Sequence, residues 1–335
     1  MKFKLTLEAN KSATTIHYQD KIMLMGSCFT ENIGAKLHRH LFEVKENPHG
    51  ILFNPISVIG ALQDYIDNKQ YVATDLFELN DLFNSWHHHT RFSDITFEAA
   101  LKKINGSIND AHTYLKGADK LVVTLGSAWL YHLTNIAPSG AGLVVANNHK
   151  APAQWFEKKL MDPVELSLQL QKIVAALQSF NKNIHIIFTI SPVRHLREGL
   201  IENNRSKSVL IYAVHDVIAK LKGVDYFPAY EYVIDDLRDY RFYAEDLVHP
   251  NYAATNYVWD KLVSTYFSED TQLIMAEVAE LQLAKQHKPF NKASNAHQAF
   301  LQKSLLKTEV LQSKYPFLPL ADFLTFFREE LINNA

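Results

Sequence analysis

The chain has 335 residues, 47% of them hydrophobic, with a formal net charge of −2 and a pI near 6.8; it can bury a large core, and its charge supplies no general attraction to nucleic acid or anionic membranes. A single cysteine excludes an internal disulfide and fits a reducing compartment. The amino-terminal stretch lacks the apolar core of a secretory signal, and no apolar run approaches the roughly 18–20 residues that span a bilayer, so a cytoplasmic protein without an integral membrane segment is expected.

Residues 1–20 read as an extended arm. The run Ile22–Met25 reads as a buried strand that meets Gly26, after which Ile33, Leu37 and Leu41 recur at helical spacing, with Thr30 as a possible N-cap. Residues 43–57, rich in Asn and Pro around Gly50, read as a loop. Asn54-Pro55 opens a helix over about 57–67, and short β-prone pieces follow around 71–72 and 76–86, before the string WHHHTRF. Ser93-Asp94 is expected to cap a helix over 95–115. Leu121–Leu125 is a second buried strand, ending at Gly126-Ser127. Tyr131–Leu133 and Leu143–Val145 flank a turn at 138–140 and read as a hairpin. A helix over 163–180 leads to a strand over 184–190, then a helix over 206–222, a strand over 224–227, and helices over 230–238 and 252–267. Strands spaced by amphipathic helices predict right-handed βαβ units around a mainly parallel sheet. From 268 to 335 the pattern is helical, broken at LQLAKQHKPFNKAS, which gives an α/β domain over 1–267 and a C-terminal helical extension over 268–335. No internal repeat is present.

The stretch KIMLMGSCFTENIGAKL, residues 21–37, is where chemistry is expected. A small polar residue on a strand-to-helix turn sits at the carboxyl end of a strand and the amino end of a helix, where free N–H groups and the helix dipole favour negative charge. Cys28 lies in that turn, with Ser27 beside it as the rival nucleophile; the bland readings are a small buried hydrophobe and a turn residue bonded to backbone. Near the end of the α/β region, Asp246 and His249 stand three apart, a spacing that lets the carboxylate hold one imidazole nitrogen and leave the other free as a base. Arg194 and His195 follow a strand's carboxyl end and could hold an anionic group of a substrate, or make a surface ion pair. His87, His88 and His89 invite a metal reading. Consecutive residues on a strand face opposite sides, and no further ligand motif accompanies them, so a polar pocket wall or an exposed hairpin is the expectation and no metal is assigned. The absence of a Walker loop and of Gly-x-Gly-x-x-Gly leaves no nucleotide cofactor indicated, and basic residues do not cluster with aromatics as nucleic-acid binding requires.

Five motifs together resemble the GSCFA family within the SGNH/GDSL hydrolase superfamily: GSCFT at 26–30, LGSAWLYH at 125–132, NNHKAP at 147–152, SPVRHLREGLIENNRSK at 191–207 and FYAEDLVHP at 242–250. The resemblance covers about residues 1–267 and implies a three-layer α/β/α, flavodoxin-like fold whose first strand carries the nucleophile and whose last block supplies Asp and His. Laid on the superfamily's Gly-Asp-Ser-x-Thr pattern, Cys28 stands where the serine stands and Ser27 where the Asp stands. A helix amino terminus and His249 are then expected to lower the thiol's pKa. The resemblance further implies an oxyanion hole from the nucleophile's N–H, a glycine, for which Gly50 is the candidate, and an asparagine from a Gly-x-Asn-Asp block. The matching stretch here begins at Gly126 and puts Ala128, which has no donor, at the asparagine; losing one such donor typically costs about 10²–10³ in turnover. Ser127, His132, Asn148 and His149 are candidate substitutes, with His149 favoured.

Two functions follow from different classes. One is an esterase or acyltransferase acting on an acyl ester of a small molecule or glycan through Cys28 or Ser27 with the Asp246–His249 pair. The other is a non-catalytic module of the same fold that binds a glycan or a protein partner. A metal-dependent hydrolase built on His87–His89 is a third, weaker idea. Oligomeric state is not legible.

Overall fold

The structure, a computed structural model, describes residues 5–8 and 11–333; residues 1–4, 9 and 10 of the expected arm lie outside the described residues. The strands are β1 (Ile22–Gly26), β2 (Val44–Glu46), β3 (Phe77–Leu79), β4 (Leu82–Asn84), β5 (Lys120–Leu125), β6 (Trp129–Leu133), β7 (Phe156–Leu160), β8 (His185–Ile190) and β9 (Val224–Phe227). Five of them form one parallel sheet in the order β2-β1-β5-β8-β9. The register sets Gly26 beside Thr124 and Leu125 beside Ile190, so β1, β5 and β8 end close to one line.

The helices are α1 (Cys28–Arg39), α2 (Pro55–Asp67), α3 (Phe97–Lys116), α4 (Pro163–Phe180), α5 (Leu200–Lys220), the single turn α6 (Ala229–Glu231), α7 (Tyr252–Tyr266), α8 (Glu269–Gln286), α9 (Asn295–Lys314) and α10 (Ala321–Asn333). Alternate residues of each central strand face opposite layers, as the two-residue period of a strand demands. Met23, Leu121, Val123 and Ile186 pack with α2, α3, α4 and α5 in one core. Ile22, Leu24, Val122 and Ile187 pack with α1, α7 and the C-terminal helices in the other. The molecule is thus a mixed α/β protein with a parallel five-stranded sheet between helical layers and a helical C-terminal region. Full burial of one such Ile or Leu is worth about 1.5–3 kcal/mol. Among the described residues no helix is long and apolar enough to cross a membrane.

Several sequence expectations need correction. The stretch 43–57 is not all loop: β2 pairs in parallel with β1 at the sheet edge. It is only three residues long, too short to show a period. β6 has a partner the sequence reading did not include, the antiparallel β7, Trp129 opposite Leu160, while the expected hairpin forms on its other side: Val145 N–H donates to Tyr131 O at 2.9 Å and Leu133 N–H to Leu143 O at 2.9 Å around the antiparallel bridge of His132 with Val144. The string WHHHTRF ends in a 3-10 turn, Thr90–Phe92. The N-caps are Ser27 for α1, in place of Thr30, and Thr96 for α3, in place of Ser93-Asp94. α5 begins six residues before the expected start, at Leu200, and the expected helix over 230–238 is α6 running into a π-helical turn, Tyr232–Leu237.

Candidate functional site

Gly26 ends β1 with φ +132°, and a Cβ there would meet the Thr124 carbonyl oxygen of β5 at 2.0 Å. Only glycine lets the chain turn out of the sheet at that point without moving β5. The turn is held by Asn47, whose Oδ1 accepts from Gly26 N at 2.9 Å, and by Leu52, whose N–H donates to Gly26 O at 2.9 Å. Ser27 then caps α1, its Oγ accepting from Phe29 N at 3.4 Å. The serine is buried and does not line the adjoining cavity, whereas Cys28, the first residue of α1, is half-buried and does.

That cavity, about 520 Å³, lies at the carboxyl edge of the sheet. Phe53 and Asn54 reach it from the loop before α2. Ser127, Trp129 and Tyr131 come from β6 and the turn before it, and Val145–Asn148 from the long connection to β7. Val193–Arg197 follow β8, and Val248 and His249 precede α7. The site therefore draws on every loop that leaves the line where β1, β5 and β8 end, which is where parallel α/β sheets expose free backbone groups.

His249 is held by its neighbours in sequence. Its Nδ1 meets Asp246 Oδ2 at 2.6 Å, while Asp246 Oδ1 accepts from the N–H groups of Val248 at 2.9 Å and His249 at 3.0 Å. These bonds, the one to the imidazole first, depress the Asp246 carboxyl to about 2. Arg194 pins the same loop: its backbone N–H donates to Val248 O and its Nη1 to Leu247 O, both at 3.2 Å, and its guanidinium lies 4.0 Å from the Tyr243 ring centroid. With Nδ1 engaged, Nε2 is the imidazole nitrogen left for the cavity.

Two effects compete at the Cys28 thiol. Burial pushes its pKa up and Glu31 adds to this, while the N–H groups of Cys28 and Phe29, and the charge of Lys207, pull it down. Burial prevails, so the free thiol is protonated at neutral pH, against the sequence expectation of a lowered value. Lys207 is fully enclosed beneath the site, its Nζ donating to Gly126 O at 2.6 Å and Ser191 O at 2.7 Å. Its burial lowers it to about 7.

Of the residues singled out in the sequence, Cys28, His249, Arg194 and His195 line one cavity, and Asp246 stands behind His249. Gly126 is adjacent, its N–H donating to Phe53 O at 2.9 Å. Gly50 is not among the lining residues, and its N–H already donates to Asn47 O at 2.7 Å. His149 also lies off the lining: it is buried against Trp86 and Phe77, with Nε2 2.8 Å from Ser85 O, and burial lowers it to about 4. Nor do the three histidines form the cavity wall. His88 is buried, bonded to Ser85 Oγ at 2.9 Å and stacked 4.1 Å from His49, whose Nδ1 lies 2.8 Å from Tyr65 Oη. Among the described residues no group of three His, Cys, Asp or Glu is disposed to hold a metal ion.

Asn54, Lys207 and Ser206 were missed. Asn54 caps α2 through Oδ1, which accepts from Ser57 N at 2.8 Å, and turns Nδ2 to Val145 O at 3.1 Å. Ser206 Oγ accepts from Ala128 N at 2.7 Å. The signal for Ser206 and Lys207 was present: with Asn203, Leu210, Ala213 and Val214 they form one buried face at helical spacing. Starting the helix at 206 hid it.

The fold and the site define a mixed α/β protein with a cysteine-bearing strand-to-helix turn and an Asp–His pair on one cleft of the sheet. The chain belongs to the GSCFA family: the GSCFA family model matches residues 21–262, and that of the GSCFA domain protein C-terminal domain matches residues 278–333. No curated protein matches the sequence.

Proposed function

We propose that this chain is an SGNH-type esterase or acyltransferase with Cys28 as nucleophile, His249 as general base and Asp246 as the group that orients the imidazole. The observation that carries the reading is the opening of Cys28 and the Asp246-bound His249 into one cavity, from opposite ends of the α/β region. His249 Nε2 takes the thiol proton as Sγ attacks the ester carbonyl carbon. The tetrahedral intermediate collapses to a thioester, and His249 returns the proton to the departing alkoxide. Water or another hydroxyl then gives its proton to His249 and attacks the thioester, and Cys28 leaves as thiolate and is reprotonated. A thiol that is neutral at rest suits this sequence, since its proton moves during attack.

Support for an oxyanion site comes from the Cys28 N–H at the amino end of α1, from Asn54 Nδ2, and from His195. His195 Nε2 is buried without a hydrogen-bond partner beside the cavity, and burial, then Lys207 and His249, lower it to about 3. A neutral imidazole can donate Nε2–H to a developing oxyanion and remain uncharged. Trp129, Tyr131, Asn147 and Asn148 give the cavity aromatic faces and amides, which suit a carbohydrate-linked ester.

The raised Cys28 pKa favours a second reading, in which the cavity binds a glycan and does no chemistry. Intact mass measurement after incubation with p-nitrophenyl acetate separates the two. The catalytic reading expects one acetyl group on wild type and none on Cys28→Ala, with nitrophenolate release; a chain that neither acquires the group nor turns the ester over supports binding alone.

A further inference from the structure

The permanent charges that line the cavity are of one sign. Arg194 and Arg197 are lining residues, and among the described residues no Asp or Glu is, although the chain as a whole has a formal net charge of −2. The two arginines differ in what they are free to do. Arg194, expected from the sequence to meet an anion, is engaged within the fold: its Nη1 donates to Leu247 O at 3.2 Å, and its guanidinium lies 4.0 Å and 4.8 Å from the ring centroids of Tyr243 and Tyr240. Arg197 sits in the 3-10 turn Leu196–Glu198 on the loop after β8. It is exposed, makes no ion pair among the described residues, and lies 5.8 Å from the Tyr131 ring centroid.

The neutral polar lining is biased the same way. Asn147 Oδ1 accepts from His149 N at 2.8 Å, and Asn148 Oδ1 accepts from Lys150 N at 3.2 Å. Each amide thus uses its acceptor within the loop and keeps its Nδ2 donors for a ligand. Trp129 and Tyr131 add aromatic faces on which a sugar ring can lie. Two carboxylates behind the lining have partners of their own. Asp246 holds His249. Glu202, whose backbone O accepts from Trp129 Nε1 at 3.3 Å, takes Arg205 Nη1 at 2.9 and 2.8 Å with its two oxygens.

We propose that the cavity takes an anionic carbohydrate, one that bears a carboxylate or a phosphate, and that Arg197 is the residue that selects for the charge. This rests on the cavity being the carbohydrate site, as both readings above have it. An arginine without an internal partner can meet two oxygens of one anion in a bidentate, charge-assisted contact. A neutral sugar leaves the guanidinium in water and gains nothing from it.

The test is equilibrium binding, read by saturation-transfer NMR in wild type, Arg197→Gln and Arg197→Lys, with D-glucose, D-glucuronate and D-glucose 6-phosphate as probes and folding checked by circular dichroism. Wild type is expected to bind at least one of the two anionic sugars about three- to tenfold more tightly than glucose. That preference should shrink as ionic strength rises from about 10 mM to about 500 mM. Preference for glucuronate alone identifies a carboxylate ligand, and for glucose 6-phosphate alone a phosphate. Arg197→Gln is expected to lose the preference and Arg197→Lys to keep part of it, a pattern that a merely structural arginine would not give. Equal affinity for the three sugars, no binding of any of them, or a preference that survives Arg197→Gln overturns the inference. The catalytic reading fails separately: a wild type that takes no acetyl group from p-nitrophenyl acetate yet discriminates the sugars by charge loses only the chemistry, and an acetylated chain blind to charge loses only this inference.

Discussion

At Cys28 the helix amino terminus and burial act in opposite directions, and burial wins. In the proposed mechanism His249 is accordingly a base that works during attack, held in place by its bond to Asp246. Asp246→Asn removes the acceptor for Nδ1 and is expected to lower turnover by about 10²–10⁴-fold, read as kcat on an active ester. The sign of its pH dependence follows from the depressed carboxyl. The Asp246–His249 bond is fully present above the unfolded carboxyl value near 3.8 and is lost as pH falls through about 2, so loss of activity between pH 7 and 4 belongs to other groups. Ser27→Ala tests the rival nucleophile. Ser27 Oγ caps α1 and is buried, so the variant should lose about 0.5–2 kcal/mol of stability and still acquire the acyl group; loss of the adduct in a folded Ser27→Ala protein would move the nucleophile to Ser27.

At the scale of elements, the turn from β1 to α1 is the part that tolerates least. Gly26→Ala puts a Cβ into the Thr124 carbonyl at an unfavourable φ, a strain of at least about 1–3 kcal/mol, so a markedly lower Tm is expected. An unchanged Tm would mean that β1 and β5 can separate there. This turn was legible in the sequence because an apolar run and a glycine precede residues at helical spacing, although the cap is Ser27 and not Thr30, and the same clarity gave β5, β8, β9 and α4. What escaped depends on long-range pairing. β2 has three residues and is recognisable only beside β1. The pairing of 131–133 with 143–145 across a short turn was legible, whereas β7, the other neighbour of β6, carries no local signal of that pairing. The site followed the same division. Cys28, Asp246 and His249 carry local signals, whereas Asn54 and Lys207 reach the site only through the packing of α2 and α5. Gly50 was placed by the superfamily's oxyanion-hole pattern and His149 because NNHK follows the hairpin and could fold back over the sheet end, and neither is among the cavity-lining residues.

For the molecule as a whole, the C-terminal helices complete one of the two cores: Ile274, Val278, Leu301, Leu311, Phe323 and Phe327 are buried with Phe29, Ile33 and Trp259. Truncation after Phe267 uncovers that face and is expected to yield aggregated protein, read by size-exclusion chromatography; a monodisperse truncated chain would show that α8–α10 pack without supporting the sheet domain. Acid stability is a second whole-molecule property. His49, His88, His149 and His195 are held by burial below the ordinary histidine value. The unfolded chain therefore binds more protons, and stability is full above about pH 6.5 and falls toward pH 4, with a limiting slope of roughly 1.4 kcal/mol per unit for each such histidine. Tm measured from pH 8 to pH 5 checks it. Whether Cys28 carries the acyl group with His249 as its base is read from pre-steady-state nitrophenolate release from p-nitrophenyl acetate, with intact mass followed in parallel. Wild type is expected to give a burst of one equivalent and an acetyl group on Cys28, Cys28→Ala no burst, and His249→Ala a burst slowed by about 10²–10⁴-fold. Release without an adduct, or a burst that survives Cys28→Ala, would contradict that role of Cys28.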